Sequence, residues 1–234
     1  MPFDFATAAR AMQRASQIDR AHLIPAAKLP PARRETLVPF VGWIGPDYAG
    51  GTVIVAKDPG GFNDVDAPAN KVSKRDVELD RALEDALLAL PTHDDPVAAV
   101  RHASRLFLEQ LPYNGIRVVL RQIEDALGES LSRMAFFNLC PFRSSGPSLI
   151  EGLRRVAFPL VPALSADTVL ILNKTVAPDL KKLPDPSLGA RWLRVLERKR
   201  QDAHGLHANG LDTLKELSVD TGWRNRKPIR PIEE

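Results

Sequence analysis

Apolar positions along this chain follow two patterns: short unbroken runs, and longer stretches in which they recur every three or four residues. Three runs stand out, TVIVA at 52–56, MAFFNL at 134–139 and TVLIL at 168–172, each rich in branched or aromatic residues and each halted by a turn signal. Continuous apolarity, rather than alternation, predicts strands covered on both faces, the condition of a parallel sheet between helical layers. A fourth run, WLRVL at 192–196, carries Arg194 and follows Arg191, so strand and helix both fit it.

Elsewhere the apolar period is that of a helix. Residues 77–90 place Val77, Leu79, Leu83, Ala86, Leu87 and Leu90 at helical spacings before Pro91 stops the pattern. Further helices are predicted over 96–111, with Pro96 in the opening turn, and over 116–127, closed by Gly128. Over 148–164, Ser148 and Glu151 have capping-box spacing, while Pro159 and Pro162 predict a bend or a break. Strands alternating with helices predict an α/β fold, a three-layer α/β/α sandwich with a short, mainly parallel central sheet and right-handed crossovers. The 234 residues suit one domain, with an N-terminal helical extension over about 1–36 and a basic tail over about 222–234.

Composition narrows the class. Apolar residues at 44% and charged residues at 26% are the mixture of a globular protein. Cys140 stands alone, which excludes an internal disulfide, a four-cysteine iron–sulfur cluster and a thiolate-rich zinc site, and suits a reducing, cytoplasmic compartment. No run approaches the roughly 20 apolar residues of a membrane span, and the first residues lack the apolar core of a secretory signal. Asp4 and Asp19 argue against a transit peptide. The net charge is +3, but its sign is uneven: residues 58–100 hold ten acids against Lys71, Lys74, Arg75 and Arg81, whereas residues 191–234 are rich in Arg and Lys. That basic third is either a solvated face or a surface for polyanions.

Ligands of such folds sit beyond the carboxyl ends of the strands. The first strand runs into Lys57-Asp58-Pro59-Gly60-Gly61-Phe62, a carboxylate at a strand end followed by glycines that let backbone approach a ligand. An Asx turn leaving the strand is the plainer alternative. An aspartyl phosphotransferase would want a second Asp where Gly60 stands. The second strand ends in Asn138-Leu139-Cys140-Pro141-Phe142-Arg143; a buried Asn must either tie down a loop or face a ligand, and its amide both accepts and donates, as the imide edge of uracil requires. Beyond the doubtful fourth strand come His204 and His207, a pair at i and i+3 that could ligate a metal, but a full zinc site needs at least one more ligand and none is evident, so no metal and no cofactor is expected.

Taken in order, these segments resemble the uracil-DNA glycosylase superfamily. Asp58-Pro59-Gly60-Gly61-Phe62 is similar to its first catalytic motif, and Asn138-Leu139-Cys140-Pro141 to the matching stretch of the single-strand-selective monofunctional branch. His207-Ala208-Asn209-Gly210-Leu211 matches the second motif only at its His and Leu. The resemblance implies a uracil-DNA glycosylase-like fold and a monofunctional, metal-free enzyme that hydrolyses the N-glycosidic bond of uracil in DNA and so starts base-excision repair. Asp58 would activate water and stabilise the sugar cation, and His207 would donate to O2 of the departing base. Asn138 would pair with uracil and reject cytosine, and Leu211 would fill the gap left by the flipped base. Gly60, where the main family has Tyr, implies room for C5-substituted uracil; Gly61 and Lys57 flank the base, and Phe62 is the nearest aromatic to stack on it. Next to an inward carboxylate, Lys57 is expected to point to the opposite face, against a Schiff-base lyase. His204, Arg143 and Arg200 would contact DNA, and the protein would act as a monomer away from membranes. Two alternatives stay open: a non-catalytic nucleic-acid or nucleotide-binding module of the same fold, and a glycosylase for hypoxanthine or xanthine.

Overall fold

The computed structural model describes residues 2–59, 77–111, 116–144, 146–198 and 205–225. In chain order these residues form α1 (Phe5–Ser16), α2 (Arg20–Leu23), α3 (Arg34–Leu37), β1 (Gly42–Ile44), β2 (Gly51–Ala56), α4 (Val77–Ala89), α5 (Pro96–Gln110), α6 (Arg117–Leu127) and β3 (Ala135–Asn138). They continue through α7 (Leu149–Gly152), a π-helical stretch (Leu153–Ala157), α8 (Phe158–Ala163), β4 (Ala166–Ile171), α9 (Ala177–Leu180), β5 (Trp192–Val195), α10 (Ala208–Val219) and α11 (Thr221–Arg224). The five strands make one sheet in the order β1-β3-β2-β4-β5, in which only β1 pairs antiparallel. The fold is α/β with a mostly parallel sheet, compatible with a three-layer sandwich.

Alternation along each strand divides the core in two. Val53, Val55, Ala135, Phe137, Val169 and Ile171 pack with α1, the π-helical stretch and α8 on one face. Ile54, Ala56, Phe136 and Leu170 pack with α4, α6 and α10 on the other. Both faces are covered, which is why β2, β3 and β4 carry no polar alternation. The N-terminal stretch expected as an extension places Ala8, Ala9 and Met12 of α1 inside the first core, with Asp4 capping the helix through the N–H groups of Ala6 and Thr7.

Where two readings of 192–196 stood open, strand pairing decides. Residues Thr168 to Ile171 of β4 run parallel to Trp192 to Val195, and Arg194 sits on the outer strand, where a charge also guards the edge. β1 has no counterpart among the expected strands. Its three residues are too few for a periodic signal; they are held by pairing with β3 and by the Ser104 hydroxyl, which accepts the Ile44 N–H at 3.1 Å. In 148–164, the Ser148 hydroxyl accepts from Glu151 N–H as a cap should, but Glu151 turns to Arg154 and Arg155. The π-helical stretch precedes Pro159, whose missing N–H removes a bond from the regular ladder.

α10 starts at the carboxyl end of β5, where His207 N–H donates to Glu197 O at 2.8 Å, and returns the chain toward the amino end of the sheet. There Trp223 of α11 is buried and donates from Nε1 to Thr168 Oγ1 at 3.1 Å. Trp223→Phe is expected to cost about 1 kcal/mol of stability through this bond, read as a lower urea midpoint with an unchanged slope. The same latch holds Arg224 at the sheet's amino edge.

Candidate active site

The parallel register brings the first two strand ends side by side. Ala56 of β2 lies opposite Asn138 of β3, and the chain beyond continues the ladder, with Leu139 N–H donating to Ala56 O at 2.8 Å and Cys140 N–H to Lys57 O at 2.9 Å. Asp58 is therefore held beside the Asn138–Cys140 segment. β3 and β4 lie on either side of β2, so the connection between them reverses direction across it, and Asp58 stands at the carboxyl end of the strand where the order switches.

Asn138 is 3% exposed and its amide is half satisfied. Nδ2 donates to Phe40 O at 2.7 Å, while the buried Oδ1 has no hydrogen-bond partner among the described residues. The donor bond fixes the amide orientation, since two oxygens would otherwise face each other. A buried acceptor left unmade costs about 1–3 kcal/mol, so Oδ1 has something to gain from a ligand N–H.

Asp58 is nearly buried, and Lys57 Nζ lies 3.2 Å from its Oδ2. Lys57 thus folds back onto its neighbour instead of pointing to the opposite face, because four flexible methylenes outweigh strand alternation at a strand end. Arg198 also feels this carboxylate: burial lowers the Arg198 pKa, and the negative charge of Asp58 raises it in part. Arg198 is nonetheless an exposed residue. Both hold at once where part of the side chain lies against protein and the rest meets water.

Cys140 packs 1% exposed beneath the same loops, its Sγ directed at Phe142 O at 3.3 Å. Burial pushes its thiol up to about 12 and Asp58 adds to the rise, while backbone hydrogen bonding at Phe142 and the charge of Lys57 act against it. Native Cys140 should react with iodoacetamide at pH 8 on the order of a thousandfold more slowly than in denaturant. By linkage, a thiol pKa raised on folding leaves stability intact below the ordinary thiol pKa of about 8.5. Stability is then lost as pH rises from there toward about 12, which urea titrations across that window would read.

The remaining expected residues scatter. His207 occupies the N-cap position of α10 without a side-chain capping bond and is exposed; the hydrogen bond and charge of Lys174, with a smaller electrostatic contribution from His207, hold the Glu197 carboxyl below its usual range. No hydrogen bond joins His207 to Asp58 or Asn138 among the described residues. Leu211 is half-buried and packs against the second core, a placement that lends the wedge role no support. Arg143 is half-buried with its guanidinium 5.1 Å over the Phe40 ring. Gly60, Gly61, Phe62, Arg200 and His204 lie outside the described residues.

Two neighbours of the site were not singled out in the sequence. Phe40 ties Asn138 to Arg143 while its ring packs against the second core; only its tertiary position marks it, since TLVPFVGWIG has no motif. Arg198 was one basic residue among many, and its place just past β5 is its only signal. Among the described residues, no three His, Cys, Asp or Glu side chains converge as metal ligands, and no helix is long and apolar enough to cross a membrane. No family model matches the chain, and neither a curated protein nor a solved structure matches it.

Proposed function

We propose that this protein is a DNA glycosylase that hydrolyses the N-glycosidic bond of uracil. The observation that carries the reading is the pairing, on adjacent carboxyl strand ends, of the nearly buried carboxylate of Asp58 with the half-satisfied amide of Asn138. Bond cleavage develops positive charge on the sugar and negative charge on the departing base. Asp58 answers the first need: it orients water and stabilises the cation. Asn138 answers recognition: Oδ1 accepts uracil N3–H, and the second Nδ2 hydrogen, left over after Phe40 O, reaches O4. Cytosine presents an acceptor at N3 and a donor at N4, and both meet the wrong partner.

Water adds to the anomeric carbon as its bond to N1 breaks; the electron pair leaves with uracil, and the water proton passes to Asp58. α10 starts at this edge, so its N-terminal N–H groups add positive potential where phosphate or the departing base lies. The base must leave the stack to reach the site.

The test is an oligonucleotide with one uracil, incubated with the protein and then treated with alkali to cut abasic sites. Strand scission at uracil is expected with single-stranded or duplex substrate. Binding without scission would reduce the protein to a nucleic-acid-binding module, and faster scission at hypoxanthine or xanthine would reassign the base.

A further inference from the structure

The Lys57–Asp58 ion pair is lopsided. The Asp58 side chain is 9% exposed, whereas the Lys57 side chain is 36% exposed on a flexible stem, although the Lys57 backbone is held by the Cys140 N–H that donates to its carbonyl. Nζ approaches Oδ2 without the alignment of a hydrogen bond, so little geometry is lost when it leaves. Left in place, the ammonium would oppose a cation forming against the same carboxylate. One partner is built to stay and the other to move.

We propose that Lys57 is a phosphate-binding residue of the site, which neutralises Asp58 in the free protein and exchanges it for a phosphodiester of the bound strand. The exchange replaces one ion pair by another and releases counterions from the nucleic acid, which favours it. Asp58 then sheds the Lys57 ammonium as the sugar cation forms, while Arg198 keeps its electrostatic interaction with the carboxylate. Hydrolysis becomes dependent on a polynucleotide, because a nucleoside brings no phosphate to draw Lys57 away. The inference rests on the site binding DNA, and it is independent of which base is removed.

The test measures affinity over a salt series for an oligonucleotide carrying a tetrahydrofuran abasic analogue, which binds but does not react. Asp58→Asn is expected to tighten binding up to about fivefold, because Lys57 no longer leaves an ion pair. That gain should vanish in the Lys57→Gln background. Lys57→Gln should also reduce the slope of log affinity on log salt by about 0.7–0.9, one phosphate's worth, while Lys57→Arg keeps the wild-type slope. An equal gain in both backgrounds would show plain repulsion between Asp58 and the strand, and an unchanged slope would show that Lys57 meets no phosphate; either overturns the proposal. Absence of DNA binding overturns it together with the DNA reading. The expected pattern without uracil excision upholds the exchange and overturns the proposed uracil hydrolysis alone.

Discussion

Asp58→Asn is expected to lower uracil excision by about 10²–10⁴-fold, the range of a positioned general base, with DNA affinity maintained or raised. The substitution is nearly isosteric, so the loops after β2 and β3 keep their backbone bonds through Lys57 O and Ala56 O. What disappears is the negative charge that faces the sugar cation and takes the water proton. Single-turnover excision on a uracil oligonucleotide, beside binding to the abasic analogue, separates the two effects. Wild-type turnover in this variant would remove Asp58 from the mechanism, and an equal loss of affinity and turnover would make it a binding residue.

Asn138→Ala is expected to reduce excision by about 10²-fold or more, the scale of losing a donor preorganised for a transition state. It should also destabilise the fold by about 1–3 kcal/mol, because Phe40 O loses the hydrogen bond it receives from Nδ2. Asn138→Asp is no clean change of base preference, although the amide alone suggests one. A carboxylate there would face the Phe40 carbonyl within 2.7 Å and stand beside Asp58, so burial, lone-pair repulsion and like charge all oppose it. It should melt below the alanine variant and gain no cytosine activity worth measuring. Thermal melts of both variants, with excision rates on uracil and cytosine oligonucleotides, decide this; a stable Asn138→Asp protein would show that the Phe40 bond does not orient the amide.

The uneven charge of the chain takes a different meaning in three dimensions. The basic residues of the last third do not form one surface: Arg198 lies past the carboxyl end of β5, Arg191 precedes its amino end with the guanidinium over Trp192, and Arg224 is held at the amino edge by the Trp223 latch. Of these three, only Arg198 is near Asp58. α10 separates the groups, since it carries the chain from one edge of the sheet to the other between His207 and Asp220.

The strands and helices were legible because they rest on local rules. TVIVA, AFFN and TVLIL are apolar on both faces because both faces are buried, and the helix ends at Pro96 and Gly128 rest on φ preferences that act within one turn. Asp58 and Asn138 were legible for a related reason: a polar residue that ends a buried apolar run stands out against it. The sequence by itself determined the α/β class, the two core faces and these two strand-end polar groups. Tertiary structure alone decided the rest. Pairing with β4 made 192–195 a strand, pairing with β3 created β1, the parallel register set Asp58 beside Asn138, and the folded chain delivered Phe40 and Arg198 to the same edge. The physical reason is reach: propensity and periodicity act over a few residues, whereas Phe40 and Asn138 meet across 98 positions of chain.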